Sequence, residues 1–358
     1  MAGDLEVLQE TESATVGNSQ LILPGRGNSL DIGAALLPPP DLNLIDLELL
    51  MHWKDTTYQI FCRNPRASPI WQSLVPQEAL TEPFLMHGIL ALSSLHLART
   101  KSDYPKSLRY IGTAVSHQNQ ALATFRPSLD NINPFNSKAM FAFASIITVS
   151  AFGFPRASAS DFIAPWAAID DLYQAITFAR GAHYILVQAA ESLRNSMFRP
   201  LLQWDGLEQR LTEEARLAFE RLYEEIHTLA ADELRCDYLR AIECMQEGLA
   251  EILGGSTAVA VASRVAIRIP ARYMDLLREH DPLALTILVY YCTILHRLRH
   301  NWCLEGWGAR VAGALWSVLG GQCQWRDLMR WAMEDIFGLD FCIESTWSSS
   351  SPSGRDGI

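Results

Sequence analysis

Apolar positions recur at helical spacing from Leu44 almost to the end of the chain, and two-residue alternation is nearly absent, so an all-α fold is predicted. Residues 1 to about 40 differ: they mix Gly, Ser, Asn and Thr without periodicity and finish in Leu36-Leu37-Pro38-Pro39-Pro40, a stiff extended stop. A disordered N-terminal tail is expected there. Asp41 or Asn43 suits the cap of a first helix that carries Leu44, Leu47, Leu50 and Met51 on one stripe. Pro83 fits the first turn of the next, Phe84 to about Ala98, with Leu85, Ile89, Leu92 and Leu95 on one face. Pro105 opens a helix through Tyr110 and Leu122, and Pro127 ends it. The run Lys138–Ala151 is apolar on all sides, as a helix surrounded by others must be. Asp170–Ala190, Gly206–Leu229 and Asp232–Leu253 follow, the last stopped by Gly254-Gly255. Asp281–Cys303, Glu305–Leu319 and Trp325–Ile336 complete about ten helices, expected as one array over 41–340 with no internal repeat and a flexible tail at 341–358.

Composition narrows the classes of function. With 358 residues and 49% hydrophobic content, the chain can bury a large core. The charge sum is 29 Lys and Arg against 40 Asp and Glu, a net of −11, which disfavours direct binding to nucleic acid. Between Asp205 and Glu251 there are 13 acidic residues and 5 Arg, read either as two solvated amphipathic helices or as an acidic surface for a basic protein partner. The seven cysteines are scattered and odd in number, which fits a reducing compartment better than a disulfide framework. The longest uncharged stretch, Ala139–Pro155, has 17 residues and includes Ser145, Thr148, Ser150 and Gly153. It reads as a buried core helix, and no membrane span is expected.

Candidate chemistry is sparse. No G-x-S-x-G, P-loop or H-E-x-x-H motif is present, and Gly25-Arg26-Gly27 stops short of a dinucleotide fingerprint. Cys292, His296, His300 and Cys303 would share one stripe of a helix, but positions eleven apart lie roughly 16 Å from each other and cannot reach one ion. No metal and no cofactor are expected. Asp170-Asp171-Leu172-Tyr173-Gln174 resembles an aspartate-rich Mg²⁺–diphosphate motif, with Gln174 where the closing acid would stand. An acidic pair in a helix's first turn is the plainer reading, but the motif leaves open an all-α enzyme acting on an isoprenoid-type substrate. Tyr290, Tyr291, Trp302, Trp307, Trp316, Trp325 and Trp331 crowd the C-terminal part. Such rings serve either as core or as the wall of an apolar pocket for a flat, sterol-like ligand.

Several blocks together resemble a known family. They are Asp41 to Trp53, Pro83 to Ala98, Tyr110 with Ala114, His117 and Ala121-Leu122, and the pair Arg180-Gly181. At the C-terminal end they are His296-Arg297, Trp302 and Glu305-Gly306-Trp307-Gly308, followed by Trp325 and Trp331. This pattern resembles the fungus-specific regulatory domain of zinc-cluster transcription factors, with the sterol-uptake-control regulators as the nearest type. The likeness runs over roughly residues 41 to 340 and is weak between Leu202 and Ile269. Full-length members carry a six-cysteine zinc cluster near the N-terminus, whereas no cysteine precedes Cys62 here. Ala332 stands where a proline is common.

The resemblance implies an all-α domain that binds a small apolar molecule such as a sterol and controls transcription in the nucleus, with shuttling from the cytoplasm as a further expectation. Without its own DNA-reading head it would act through a DNA-binding or coregulator protein partner, or as a homo-oligomer. Control of a sterol or secondary-metabolite pathway is the implied role. Arg180, Tyr291 and His296 are the candidate polar ends for a ligand hydroxyl. Trp302, Gly306 and Trp307 are the candidate moving element, with Gly306 and Gly308 as soft points beside an apolar anchor. A helical interaction module without a ligand remains the third reading.

Overall fold

The computed structural model describes residues 43–100, 104–154, 165–203, 209–229 and 232–339; the two expected tails lie outside them. Among the described residues there are thirteen α-helices and no strand. They are α1 (Leu44–Asp55), α2 (Val75–Glu78), α3 (Pro83–Thr100), α4 (Tyr104–Phe125), α5 (Ser137–Gly153), α6 (Pro165–Arg194) and α7 (Glu213–Leu229). The rest are α8 (Asp232–Leu253), α9 (Val259–Arg268), α10 (Ala271–Arg278), α11 (Pro282–Arg297), α12 (Trp307–Leu319) and α13 (Cys323–Phe337). Short 3-10 turns lie at Thr57–Phe61, Arg126–Ser128 and Arg199–Leu202, and a π-helical turn at Ile70–Leu74.

The most apolar helices sit at the centre. In α5 the stretch Ala139–Ala144 is buried without a break, and in α11 every residue from Leu283 to Leu295 is. No solvent-facing stripe is needed where neighbours cover every side. Helix α5 packs on α3 and α6, while α11 packs on α8, α12 and α13. Local chemistry sets the ends. Asp281 caps α11 by accepting from the Ala284 N–H at 2.8 Å, and Pro282 follows at the first helical position. Gly255, with φ of 107°, lies just past α8.

Three expectations need correction. The segments α9 and α10 were not expected; both are short and are separated by Ile269-Pro270. Helix α7 starts at Glu213 rather than near Gly206, because Thr212 caps it by accepting from the Ala215 N–H at 3.2 Å. Helix α11 ends at Arg297 and not at Cys303, so His300 and Cys303 lie in the turns beyond it. The stripe of Cys292, His296, His300 and Cys303 therefore does not exist on one helix.

The described residues hold no group of three or more His, Cys, Asp or Glu placed for a metal. Burial pushes the Cys292 thiol well up and the Cys303 thiol to about 12, which opposes thiolate ligation. Asp170 and Asp171 face different partners: Asp171 pairs with Arg310 of α12 at 3.0 Å, and Asp170 with His280 at 3.9 Å. One ties α6 to α12 and the other ties α6 to the turn between α10 and α11. No described helix is long and apolar enough to cross a membrane.

Candidate functional site

The Pro83–Ala98 block and the last block of the sequence pattern meet in space. Trp302 stacks on His96 of α3 with ring centroids 4.8 Å apart, and it lies over Gly153, where an added Cβ would come within 2.9 Å of the indole. Trp307 donates its Nε1–H to the Phe152 carbonyl at 2.9 Å and meets the Phe152 ring edge-on. Arg310 lies over the Trp307 ring at 4.8 Å. Gly306 opens α12 in the left-handed region, with φ of 77°. Two residues on, a Cβ at Gly308 would lie 2.5 Å from the Cys292 carbonyl oxygen and 2.6 Å from the His296 backbone nitrogen. Gly308 thus allows α12 to lie directly on the α11 backbone. His296, Trp302, Gly306 and Trp307 are brought together at this joint, and burial lowers the pKa of His296.

Arg180 and Tyr291 lie elsewhere and both hold α9. Arg180 donates to the carbonyls of Ala266 at 3.2 Å, Ile267 at 3.1 Å and Ile269. A cation there answers the negative end of α9. Tyr291 is fully buried and donates to the Ala262 carbonyl at 3.0 Å. None of the six candidate residues lines either of two large cavities that flank the α5–α6 pair.

The first cavity, about 560 Å³, lies on the α4 side. Its walls are Leu122, Ile147, Ala151, Phe154, Phe178 and Ile185, with Gln118, Ser150, Thr177, Gly181 and Ala182. Among the described residues no charged side chain lines it. The Thr177 hydroxyl donates to its own helix, to the Tyr173 carbonyl at 2.8 Å. In contrast, Gln118 Oε1 and Ser150 Oγ are buried and make no hydrogen bond among the described residues. Each such atom costs roughly 1–3 kcal/mol unless something supplies a partner. Aromatic enrichment near the C-terminus gave no hint of this place. The signal was instead the small residues Ser150, Ala151, Gly181 and Ala182 on two helices that face each other.

The second cavity, about 530 Å³, lies on the α9 side. Ile60, Phe61, Trp71, Phe141, Val149, Leu186, Leu201, Val259 and Ile267 form its apolar wall, Arg63, Arg264 and Arg268 its charged lining, and His183 stands beside them. Both volumes fall within the range of small-molecule sites, about 300–1,000 Å³.

Residues 48–221 match the fungal specific transcription factor domain. That stretch contains all of the α4-side cavity and everything but α9 of the other. The chain is also similar to Sterol uptake control protein 2 of Candida albicans, 30% identical over 142 residues, which are 37% of this chain and 19% of that protein. To Sterol uptake control protein 2 of Saccharomyces cerevisiae it is 32% identical over 112 residues, 31% of this chain and 12% of that protein. A Zn(2)-C6 fungal-type transcription factor of Gibberella zeae is 30% identical over 138 residues, 37% of this chain and 26% of its own length. The chain therefore spans a minor part of each of these relatives.

Proposed function

We propose, from the premise that this chain carries a fungal specific transcription factor domain, that it is a transcriptional regulator whose state is set by a neutral apolar ligand in the α4-side cavity. The observation that carries the ligand is the pair of unpartnered buried atoms on an otherwise apolar wall, Gln118 Oε1 and Ser150 Oγ. A single ligand hydroxyl that donates to Gln118 and accepts from Ser150 would satisfy both. A flat or elongated alcohol such as a sterol has that chemistry, and two relatives are named for sterol uptake control. The site of action is the nucleus. The exposed acids Glu214, Glu224 and Glu233 on α7 and α8 supply a face for a basic protein partner.

Two measurements test this reading. Native mass spectrometry of the full chain from a fungal host, followed by solvent extraction, should return a neutral hydroxylated molecule at one per chain. The full chain fused to a heterologous DNA-binding module should drive a reporter that responds to depletion of that molecule. Ala151→Phe, which fills the cavity, should abolish both the bound mass and the response. An empty wild-type protein, with a reporter indifferent to Ala151→Phe, would sink the ligand. A chemically converted product in the extract would point to an enzyme instead.

A further inference from the structure

We propose that the α9-side cavity is a second, separate site, for a long apolar molecule with one anionic head such as a long-chain carboxylate. The two cavities share no lining residue, so this inference stands apart from the neutral ligand argued above. Their chemistries also differ. Two of the three hydroxyls that line the α9-side cavity are engaged by their own helix: Ser145 donates to the Phe141 carbonyl at 3.0 Å and Thr148 to the Ala144 carbonyl at 3.0 Å, while the third, Ser263, is half-buried on α9 beside Arg264. No buried hydroxyl there needs a ligand partner. The wall is Trp71, Phe141, Val149, Leu201 and Val259, all nearly inaccessible to solvent. An extended hydrocarbon fits such a wall and gains from leaving water.

The charged groups on the lining are cationic without exception among the described residues, and they sit toward solvent. They are Arg63, Arg264 and Arg268, all half-buried; His183 beside them has its pKa lowered by partial burial and then by the Arg180 charge, so it is neutral near pH 7 and adds no charge. Arg264 and Arg268 are one helical turn apart on α9, so their side chains are neighbours. Each is braced from behind by α8, Arg264 by Glu251 and Arg268 by Glu247, and neither carboxylate lines the cavity. These bridges hold the guanidinium groups in place. A guanidinium has five N–H donors, so it can hold its brace and a ligand carboxylate together. A neutral alcohol would gain little from this rim, whereas an anionic head gains charge-assisted hydrogen bonds. The arrangement places an acid head at the opening and its chain against α5.

The test compares palmitate, hexadecanol and methyl palmitate for binding to the full chain by displacement of a fluorescent fatty acid near neutral pH. Palmitate should bind at least about tenfold tighter than the alcohol or the ester, which is about 1.4 kcal/mol. The double substitution Arg264→Gln, Arg268→Gln should erase that difference. Because it also removes two bridges to α8, Ala260→Trp serves as a second variant that fills the cavity and leaves the bridges intact. It should abolish palmitate binding, while Ala151→Phe in the other cavity should not. Equal binding of acid and alcohol would overturn the proposal, and so would palmitate displaced by Ala151→Phe but not by Ala260→Trp.

Discussion

Gly308→Ala gives the sharpest check on the α11–α12 contact. An added Cβ would lie 2.5 Å from the Cys292 carbonyl oxygen, 2.6 Å from the His296 nitrogen and 2.7 Å from the His296 Cβ. Two of these are backbone atoms of a helix buried along Leu283–Leu295, so no flexible side chain can give way. The helices must separate by about 0.9 Å to reach ordinary contact near 3.4 Å. Overpacking of this kind costs about 1–3 kcal/mol and at times more, against a gain of up to about 1 kcal/mol in helix propensity. Contact with rigid backbone puts the cost at the upper end, for a net loss of about 2 kcal/mol. That corresponds to an apparent Tm lower by roughly 3 °C for a domain of about 300 residues. Gly313→Ala in the same helix is the control: its Cβ would meet Phe337 Cζ at 3.9 Å and nothing nearer. It should keep or raise the Tm in the same calorimetric scan. A Gly308→Ala protein that melts at or above wild type would refute the close approach and the reason given for that glycine.

Three further substitutions probe separate features. His96 is buried with its ring nitrogen 3.0 Å from Thr57 Oγ1, and burial followed by the nearby His52 lowers its pKa from 6.5 to about 4. The unfolded chain then binds the proton first, so stability falls as pH drops from about 6.5 towards 4; about 2 kcal/mol is lost by pH 5. Between pH 7.5 and pH 5, urea unfolding of His96→Gln should show a stability loss smaller than that of the wild type by about 2 kcal/mol. Arg180→Met removes the donor to three carbonyls and should cost about 1.5–3 kcal/mol, with faster hydrogen exchange through α9. Unchanged exchange there would show that the cap is dispensable. Trp307→Phe keeps the ring packing but leaves the Phe152 carbonyl without its donor, for an expected loss of about 1–3 kcal/mol in denaturant unfolding. A loss under half of that would mean that the ring alone holds the joint.

Helix positions were legible wherever the pattern was long and its ends were marked. Helix α8 spans Asp232–Leu253, the range its periodicity and Gly254-Gly255 imply. Helix α11 was overrun because Leu298 to Glu305 contains no Gly or Pro to mark a stop. Helices α9 and α10 are too short to establish a period of their own. The candidate site was harder. Tyr290 illustrates why: its hydroxyl donates to the Leu328 carbonyl at 2.8 Å and its ring stacks on Trp331, so it is core and lines no large cavity. An aromatic-rich stretch reads the same whether its rings pack together or surround a space. Empty volume depends on how two helices are spaced, and a single chain of letters does not carry that spacing.

What connects the cavity to the rest of the domain is the last turn of α5. Ser150 and Ala151 line the α4-side cavity, and Phe154 follows just past the helix end. Between them, Phe152 accepts the Trp307 indole N–H and Gly153 lies under Trp302. Four of five consecutive residues, 150, 151, 153 and 154, thus face either the α4-side cavity or the joint to α12, and residue 152 bonds to that joint. A ligand shifts an equilibrium only by binding one arrangement better than another. Here a change of less than an ångström at Ser150 or Ala151 cannot be absorbed by side-chain rotation at Gly153, which has no side chain and already touches Trp302. It must pass to the indole or to the helix. The close packing at Gly308 joins α12 to α11, and the resemblance blocks Pro83–Ala98 and Trp302–Gly308 meet where Trp302 stacks on His96.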